Sequence, residues 1–250
     1  YSIRNPLKKQ RISTVVAGVI TVAAALLAIV VTEIVAWRTS SSEVLFRYRK
    51  FTLPPLLVHI IAYFGYFQLG YVMEILVNQV TKYAVGRLRP HFYTVCKPIG
   101  YNCTEPGKFI YDFKCTGDEK EVKEARLSFY SGHSAVSMYT ATFLAIYFYI
   151  RLRPFVPRII LSTLQTIVVA AALLIAYTRI QDFWHHPSDV AVGTAAGFLG
   201  GLFTCYAWAD FRSIGAGYEP IHGEIENEDT SIEVKVETIM KEASTQDGYS

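Results

Sequence analysis

Long stretches of this chain carry almost no charge, and that scarcity sets its class. Arg11 and Arg38 bracket some 26 residues interrupted by Glu33 alone. Further apolar runs cover about 54–80, 128–150, 159–178 and 188–209. Each reaches the roughly 20 residues that a helix needs to cross about 30 Å of hydrocarbon. Polar faces at helical spacing are missing from most of these runs, which argues against a large soluble protein with buried helices. Other absences narrow the reading further. Basic residues are not interleaved with aromatics into a nucleic-acid patch, so nucleic acid is discounted as a partner. No compact carboxylate cluster suggests a metal, and none is expected. The start at Tyr1 shows no signal-peptide pattern.

What is present fits a polytopic membrane protein. Hydrophobic residues make up 52% of the 250 residues, and five spans leave little room for a water-soluble core. The expected architecture is an all-α transmembrane bundle over residues 1–212, with spans near 12–37, 54–80, 128–150, 159–178 and 188–209. The net charge of +3 hides an asymmetry. From Glu219 onward there are nine acids and two lysines, which leaves the remainder near +10. Residues 213–250 are accordingly read as a disordered acidic tail.

Five spans put segments 38–53, 151–158 and the tail on one side. The first carries Arg38, Arg47, Arg49 and Lys50 against Glu43, the second Arg151, Arg153 and Arg158. Short basic loops mark the cytosolic face. The 81–127 and 179–187 loops then lie outside or in a lumen. Asn102-Cys103-Thr104 in the first of these is a glycosylation sequon. Cys96, Cys103 and Cys115 share that loop, where oxidising surroundings allow one pair among three choices, while Cys205 reads as packing. Arg4, Lys8, Lys9 and Arg11 would fall on the same outer side, against the rule.

Three short blocks carry the chemistry: Lys82-x6-Arg89-Pro90, Ser131-Gly132-His133 and Arg179-x5-His185-x3-Asp189. Each stands at the end of an apolar run, and all three fall at one membrane face. Asp189 follows His185 by one helical turn, so its carboxylate can hold one ring nitrogen and leave the other as a nucleophile. His186 does not share that face and is taken as a bystander. Arg179 offers a guanidinium fork suited to a phosphate. Ser131 and Gly132 open a helix whose free N–H groups can meet phosphate oxygens, with His133 placed to protonate a departing alkoxide. Lys82 and Arg89 add cations for developing charge. Each feature has a plainer counterpart: a capped helix, an arginine anchored at headgroups, an interfacial histidine. Glu74, Asn78 and Lys82 form a polar stripe in an apolar helix, read as interhelical support for Lys82. Glu33 either packs similarly or reaches the solvated headgroups. Gly193, Gly197 and Gly201 form a small-residue stripe for close helix packing.

Arranged in this order, the blocks resemble the signature of the type-2 phosphatidic acid phosphatase superfamily: Lys-x6-Arg-Pro, Pro-Ser-Gly-His and Ser-Arg-x5-His-x3-Asp. The strings KYAVGRLRPHFYTVC, RLSFYSGHS and HHPSDV look more narrowly like animal lipid phosphate phosphatases. The resemblance runs from about residue 54 to 210. It implies that His185 attacks phosphorus, Asp189 orients it and His133 protonates the leaving group. Lys82, Arg89, Ser131, Gly132 and Arg179 would bind the phosphate, with no metal or other cofactor. It also implies membrane lipid substrates (phosphatidate, lysophosphatidate, sphingosine 1-phosphate, ceramide 1-phosphate) and residence in the plasma membrane or endomembranes. The family plan has six spans, so a helix upstream of Tyr1 is expected to be missing. Tyr130 stands where the signature has proline, and Thr178 where it has serine. Three rivals remain: a phosphatase of sugar phosphates or polyprenyl diphosphates, a non-catalytic relative that binds lipid phosphate or protein, and a transporter. Homo-oligomerisation is left open.

Overall fold

The computed structural model describes residues 3–39, 46–48, 51–100 and 113–209. Asn102, Cys103 and the acidic tail lie outside these. Five long helices build the protein: α1 (Thr14–Thr39), α2 (Pro55–Val85), α5 (Gly132–Leu152), α6 (Arg158–Gln181) and α7 (Pro187–Phe203). A π-helical turn at Thr204–Trp208 prolongs α7. All five are long and apolar enough to cross a membrane. Between α1 and α2 lies a short antiparallel hairpin, β1 (Phe46–Tyr48) with β2 (Phe51–Leu53). Between α2 and α5 lie α3 (Phe92–Cys96), β3 (Pro98–Ile99), β4 (Lys114–Cys115) and α4 (Glu119–Glu124). They form a small layer over one end of the bundle, closed by the Cys96–Cys115 disulfide.

Helix α6 runs to Gln181, so Arg179 is helical, and two other boundaries differ further from the sequence expectation. Helix α2 runs on to Val85, because nothing breaks it before Gly86, which takes φ 59° and ends the helix with its N–H on the Lys82 carbonyl. Lys82 thus sits in a helical turn rather than a loop. Helix α5 begins at Gly132 and not near 128, since the preceding residues pair elsewhere. Ser128 N–H bonds the Arg87 carbonyl and Ser131 N–H bonds the Asp189 carbonyl.

Helix α5 is the axis of the bundle, with 15 of its 21 residues buried, and it packs against α7, α6, α1 and α2. Its Tyr139, Phe143 and Tyr147 meet Tyr63 and Phe67 of α2 in an aromatic core. The other helices turn apolar residues outward, among them Val19, Leu27, Ile61, Leu69, Leu174 and Leu199. Such surfaces suit hydrocarbon, and the protein is an integral membrane protein.

Glycine brings α7 unusually close to α5. A Cβ on Gly197 would stand 2.0 Å from the Ala135 carbonyl oxygen, and one on Gly193 would stand 2.5 Å from that of Ser131. The stripe therefore serves packing, as its spacing indicated. At the far end, Glu33 is buried and does not reach solvent. It accepts from Arg151 Nε at 2.8 Å and Nη2 at 2.6 Å and from Tyr147 Oη at 2.8 Å, with His59 Nδ1 at 3.3 Å. Helices α1, α2 and α5 are thereby pinned to one another.

Gly197→Ala is expected to force α7 off α5 and to lower stability by about 1–3 kcal/mol, the usual scale of overpacking. Thermal unfolding of the variant in detergent, read by loss of monodisperse protein, measures it.

Candidate active site

At the end of the bundle opposite Glu33, each motif block arrives on a different element. Lys82 occupies the last turn of α2, and Arg89 the connector that follows. Ser131 is the N-cap of α5, with Gly132 and His133 in its first turn. Arg179 is in the last turn of α6, and Asp189 in the first turn of α7. Between these helices His185 stands in a tight connector whose N–H bonds the Arg179 carbonyl.

A cavity of about 330 Å³ unites most of them. Lys82, Arg89, Gly132, His133, Arg179 and His185 line it. Ser131 and Asp189 are fully buried behind it. Away from the charges the same cavity runs along Ala17, Gly18, Tyr71, Ile75 and Val136, between α1, α2 and α5. Its polar end is cationic and its side wall apolar.

The His185 ring Nδ1 lies 2.8 Å from the Ser128 carbonyl oxygen. A carbonyl only accepts, so Nδ1 carries the proton in the neutral ring and Nε2 keeps its lone pair. Asp189 lies farther from Nδ1, at 3.9 Å. The one-turn spacing thus yields only a 3.9 Å approach, and the short hydrogen bond goes to Ser128. Asp189 Oδ2 accepts from Ser128 Oγ at 2.6 Å and from His186 N–H at 3.1 Å, and Arg87 Nη1 donates to Oδ1. His186 is therefore more than a bystander: it caps α7, and its ring Nδ1 stands 3.4 Å from the same carboxylate.

Burial pushes the His185 imidazole down to about 4; the Asp189 contact opposes this, while the Arg89 and Lys82 charges reinforce it. The ring is neutral at physiological pH. Arg89 is also buried. It stacks on Trp184 at 4.8 Å and its Nη1 ion-pairs with Glu124 Oε1 at 3.3 Å, while its Nε has no hydrogen-bond partner among the described residues. Buried donors are seldom left so. Arg179, by contrast, is engaged: Nη1 donates to the Ile12 carbonyl at 2.9 Å, and Nε and Nη2 donate to Thr178 Oγ1. Thr178 uses the hydroxyl that it shares with serine. His133 Nε2 also reaches the Ile12 carbonyl, at 3.2 Å.

The polar stripe of α2 supports the α5 start. Glu74 accepts from Tyr130 Oη at 3.0 Å, and Asn78 Nδ2 donates to the Tyr130 carbonyl at 2.9 Å. Sequence reasoning missed Arg87, Ser128 and the Ile12 carbonyl. Arg87 and Ser128 lie inside the quoted motif strings, but nothing in their spacing marks them. A backbone carbonyl leaves no trace in sequence.

A profile of the PAP2 superfamily matches residues 60–213. The chain belongs to the PAP2 superfamily. It is 46% identical over 171 residues to phospholipid phosphatase homolog 1.2 homolog of Caenorhabditis elegans, covering 67% of this chain and 50% of that protein. To human phospholipid phosphatase 2 it is 41% identical over 155 residues, covering 60% and 52%. To rat phospholipid phosphatase 1 it is 38% identical over 149 residues, covering 59% and 52%. The chain spans about half the length of these relatives. Among solved structures, a transmembrane PAP2 type phosphatidylglycerolphosphate phosphatase from Bacillus subtilis aligns at TM-score 0.39 and 19% identity, covering 77% of this chain and 85% of that one.

Because the native ring titrates below the ordinary imidazole value, unfolding takes up a proton at His185 as pH falls from about 6.5 toward 4, and stability declines across that window. NMR of ¹⁵N-histidine-labelled protein in detergent is expected to show, among the rings still neutral at pH 5.5, an Nδ1–H ring that is absent from His185→Ala.

Proposed function

We propose that the protein hydrolyses lipid phosphate monoesters through a phosphohistidine. One observation carries the reading: a buried, incompletely bonded Arg89 guanidinium and a neutral His185 with Nε2 free share a cavity whose other wall is apolar. An anion would satisfy Arg89, and a lipid tail would suit the wall. The names of the relatives, phospholipid phosphatases, support the same substrate class.

In this mechanism His185 Nε2 attacks phosphorus, and the bond from phosphorus to the lipid alkoxide breaks. His133 passes a proton to that alkoxide, which leaves as an alcohol. Lys82, Arg89 and the N–H groups at the start of α5 take up charge on the non-bridging oxygens. Arg179 joins them by exchanging the Ile12 carbonyl for a phosphate oxygen. His133 then takes a proton from water, whose oxygen attacks phosphorus and breaks the N–P bond, releasing phosphate and restoring both histidines. The cations supply the charge compensation, so no metal is required. Phosphatidate, lysophosphatidate, sphingosine 1-phosphate and ceramide 1-phosphate share the needed monoester and tail.

We also infer that the site faces the outside or a lumen and that the tail is cytosolic. The Cys96–Cys115 disulfide lies at the site's end of the bundle, and disulfides persist in oxidising compartments. The basic N-terminal residues at that end have local partners that account for them: Arg11 pairs with Asp182 at 3.2 Å, and Lys8 bonds the Gln181 carbonyl.

Purified protein in micelles containing phosphatidate and excess chelator is expected to release inorganic phosphate, and His185→Ala to reduce kcat by at least about 10³-fold, as loss of a covalent nucleophile does. Activity surviving in His185→Ala would remove that residue from its role. The acid limb of kcat/KM that His185 contributes is expected below pH 6, since the free enzyme's ring is neutral down to about 4. A rate profile from pH 4.5 to 8 tests this.

A further inference from the structure

We infer that Arg87, at one of the unspecified positions of the first motif block, is a positioning residue that holds Asp189 in place behind the nucleophile. This rests on the reading of His185 as nucleophile and adds a residue to it.

Four observations converge on Arg87. Its Nη1 donates to Asp189 Oδ1 and also to Ser188 Oγ at 2.8 Å. Its backbone carbonyl accepts from Ser128 N–H at 2.9 Å. Ser128 in turn donates from Oγ to Asp189 Oδ2 and offers its carbonyl to His185 Nδ1. Arg87 thus grips both the carboxylate and the residue whose carbonyl accepts the ring's hydrogen bond. It is the connector's link from α2 to the first turn of α7. Asp189 is completely buried, and a buried carboxylate needs partners for both oxygens. Ser128 and His186 serve Oδ2, and Arg87 serves Oδ1. His185, at 3.9 Å, is too far to replace Arg87. Arg87 itself is partly exposed and does not line the cavity that holds His185, Lys82 and Arg89, so its role is not to meet the substrate phosphate.

Two consequences follow. Without Arg87, Oδ1 loses its donor and the carboxylate is free to turn, carrying Ser128 and the His185 ring with it. A misplacement of about 1 Å can cost on the order of 100-fold in rate. In addition, the Asp189 charge would face His185 without its guanidinium partner. Lys82 and Arg89 face His185 from α2 and its connector, His133 from α5, and Arg179 stands at the end of α6 beside Asp182. None of these pairs with Asp189 at ion-pair distance; among the described residues the His186 ring, with Nδ1 3.4 Å from Oδ2, is the other group that does beside Arg87 and His185. Removing Arg87 therefore makes the imidazolium easier to form.

The test compares wild type, Arg87→Gln, Arg87→Lys and His185→Ala as full chains in detergent. Phosphate release from phosphatidate is followed between pH 4.5 and 8, with thermal unfolding midpoints recorded beside it. Arg87→Gln is expected to lower kcat at least tenfold with KM changed less than threefold, and to move the acid limb to higher pH. Arg87→Lys, which keeps one charge against Asp189, is expected to restore the acid limb and most of kcat. Arg87→Gln with kcat and acid limb unchanged would overturn the inference. So would equal losses in both variants with no movement of the limb, the mark of a merely structural arginine. If Arg87→Gln fails to fold, the acid limb of Arg87→Lys decides. Should wild type release no phosphate, the phosphatase reading fails. The His185 ring titration by NMR, shifted upward in Arg87→Gln or not, still judges Arg87 separately.

Discussion

The Asp189 carboxylate is the knot to which the rest of the site is tied. It lies at the first turn of α7, wholly out of solvent, and cannot remain there charged without partners. Those partners come from everywhere the motifs begin: Arg87 from the connector after α2, Ser128 from the lead into α5, and His186 from the cap of α7. Its backbone carbonyl accepts from Ser131 N–H as well. Three sequence blocks separated by many residues therefore meet because one buried charge requires them to. His185 is held as a by-product, its Nδ1 on the carbonyl of the Ser128 that serves Asp189.

The bundle below that knot is organised to keep it still. Glycines on α7 let its backbone lie against the α5 carbonyls, which fixes the distance between Asp189 and Ser131. At the opposite end Glu33 joins Arg151, Tyr147 and His59, so α1, α2 and α5 are clamped at both ends. A charged group inside a membrane span is costly unless paired, and this one accepts from three donors of Arg151 and Tyr147, with the His59 ring beside it. Between the clamps, aromatic rings of α2 and α5 fill the interior.

Tyr130 illustrates how a departure from a family signature is absorbed. Where proline would stiffen the turn before Ser131, the tyrosine hydroxyl reaches Glu74 and its carbonyl is held by Asn78. The polar stripe on α2 thus substitutes hydrogen bonds for ring rigidity. Support from that stripe was legible as a four-residue repeat of polar groups in an apolar helix. Its contact was not, because the partner is 56 residues away. The same holds for His186, which spacing alone set aside and which the turn into α7 brings back to Asp189.

Composition and spacing alone determined the class, the five spans and the gathering of the three blocks at one end of the bundle. These follow from local physics: long uncharged runs must be helical in hydrocarbon, and helix ends must alternate sides. The small-residue stripe likewise stated its own purpose. Only the tertiary structure decided which donor each buried acceptor takes. It chose Cys96 and Cys115 from three pairings, buried Glu33 against Arg151, and set the His185 Nδ1–H on a backbone carbonyl. Such choices depend on ångström-scale distances between residues remote in the chain, and one-dimensional order carries no record of them.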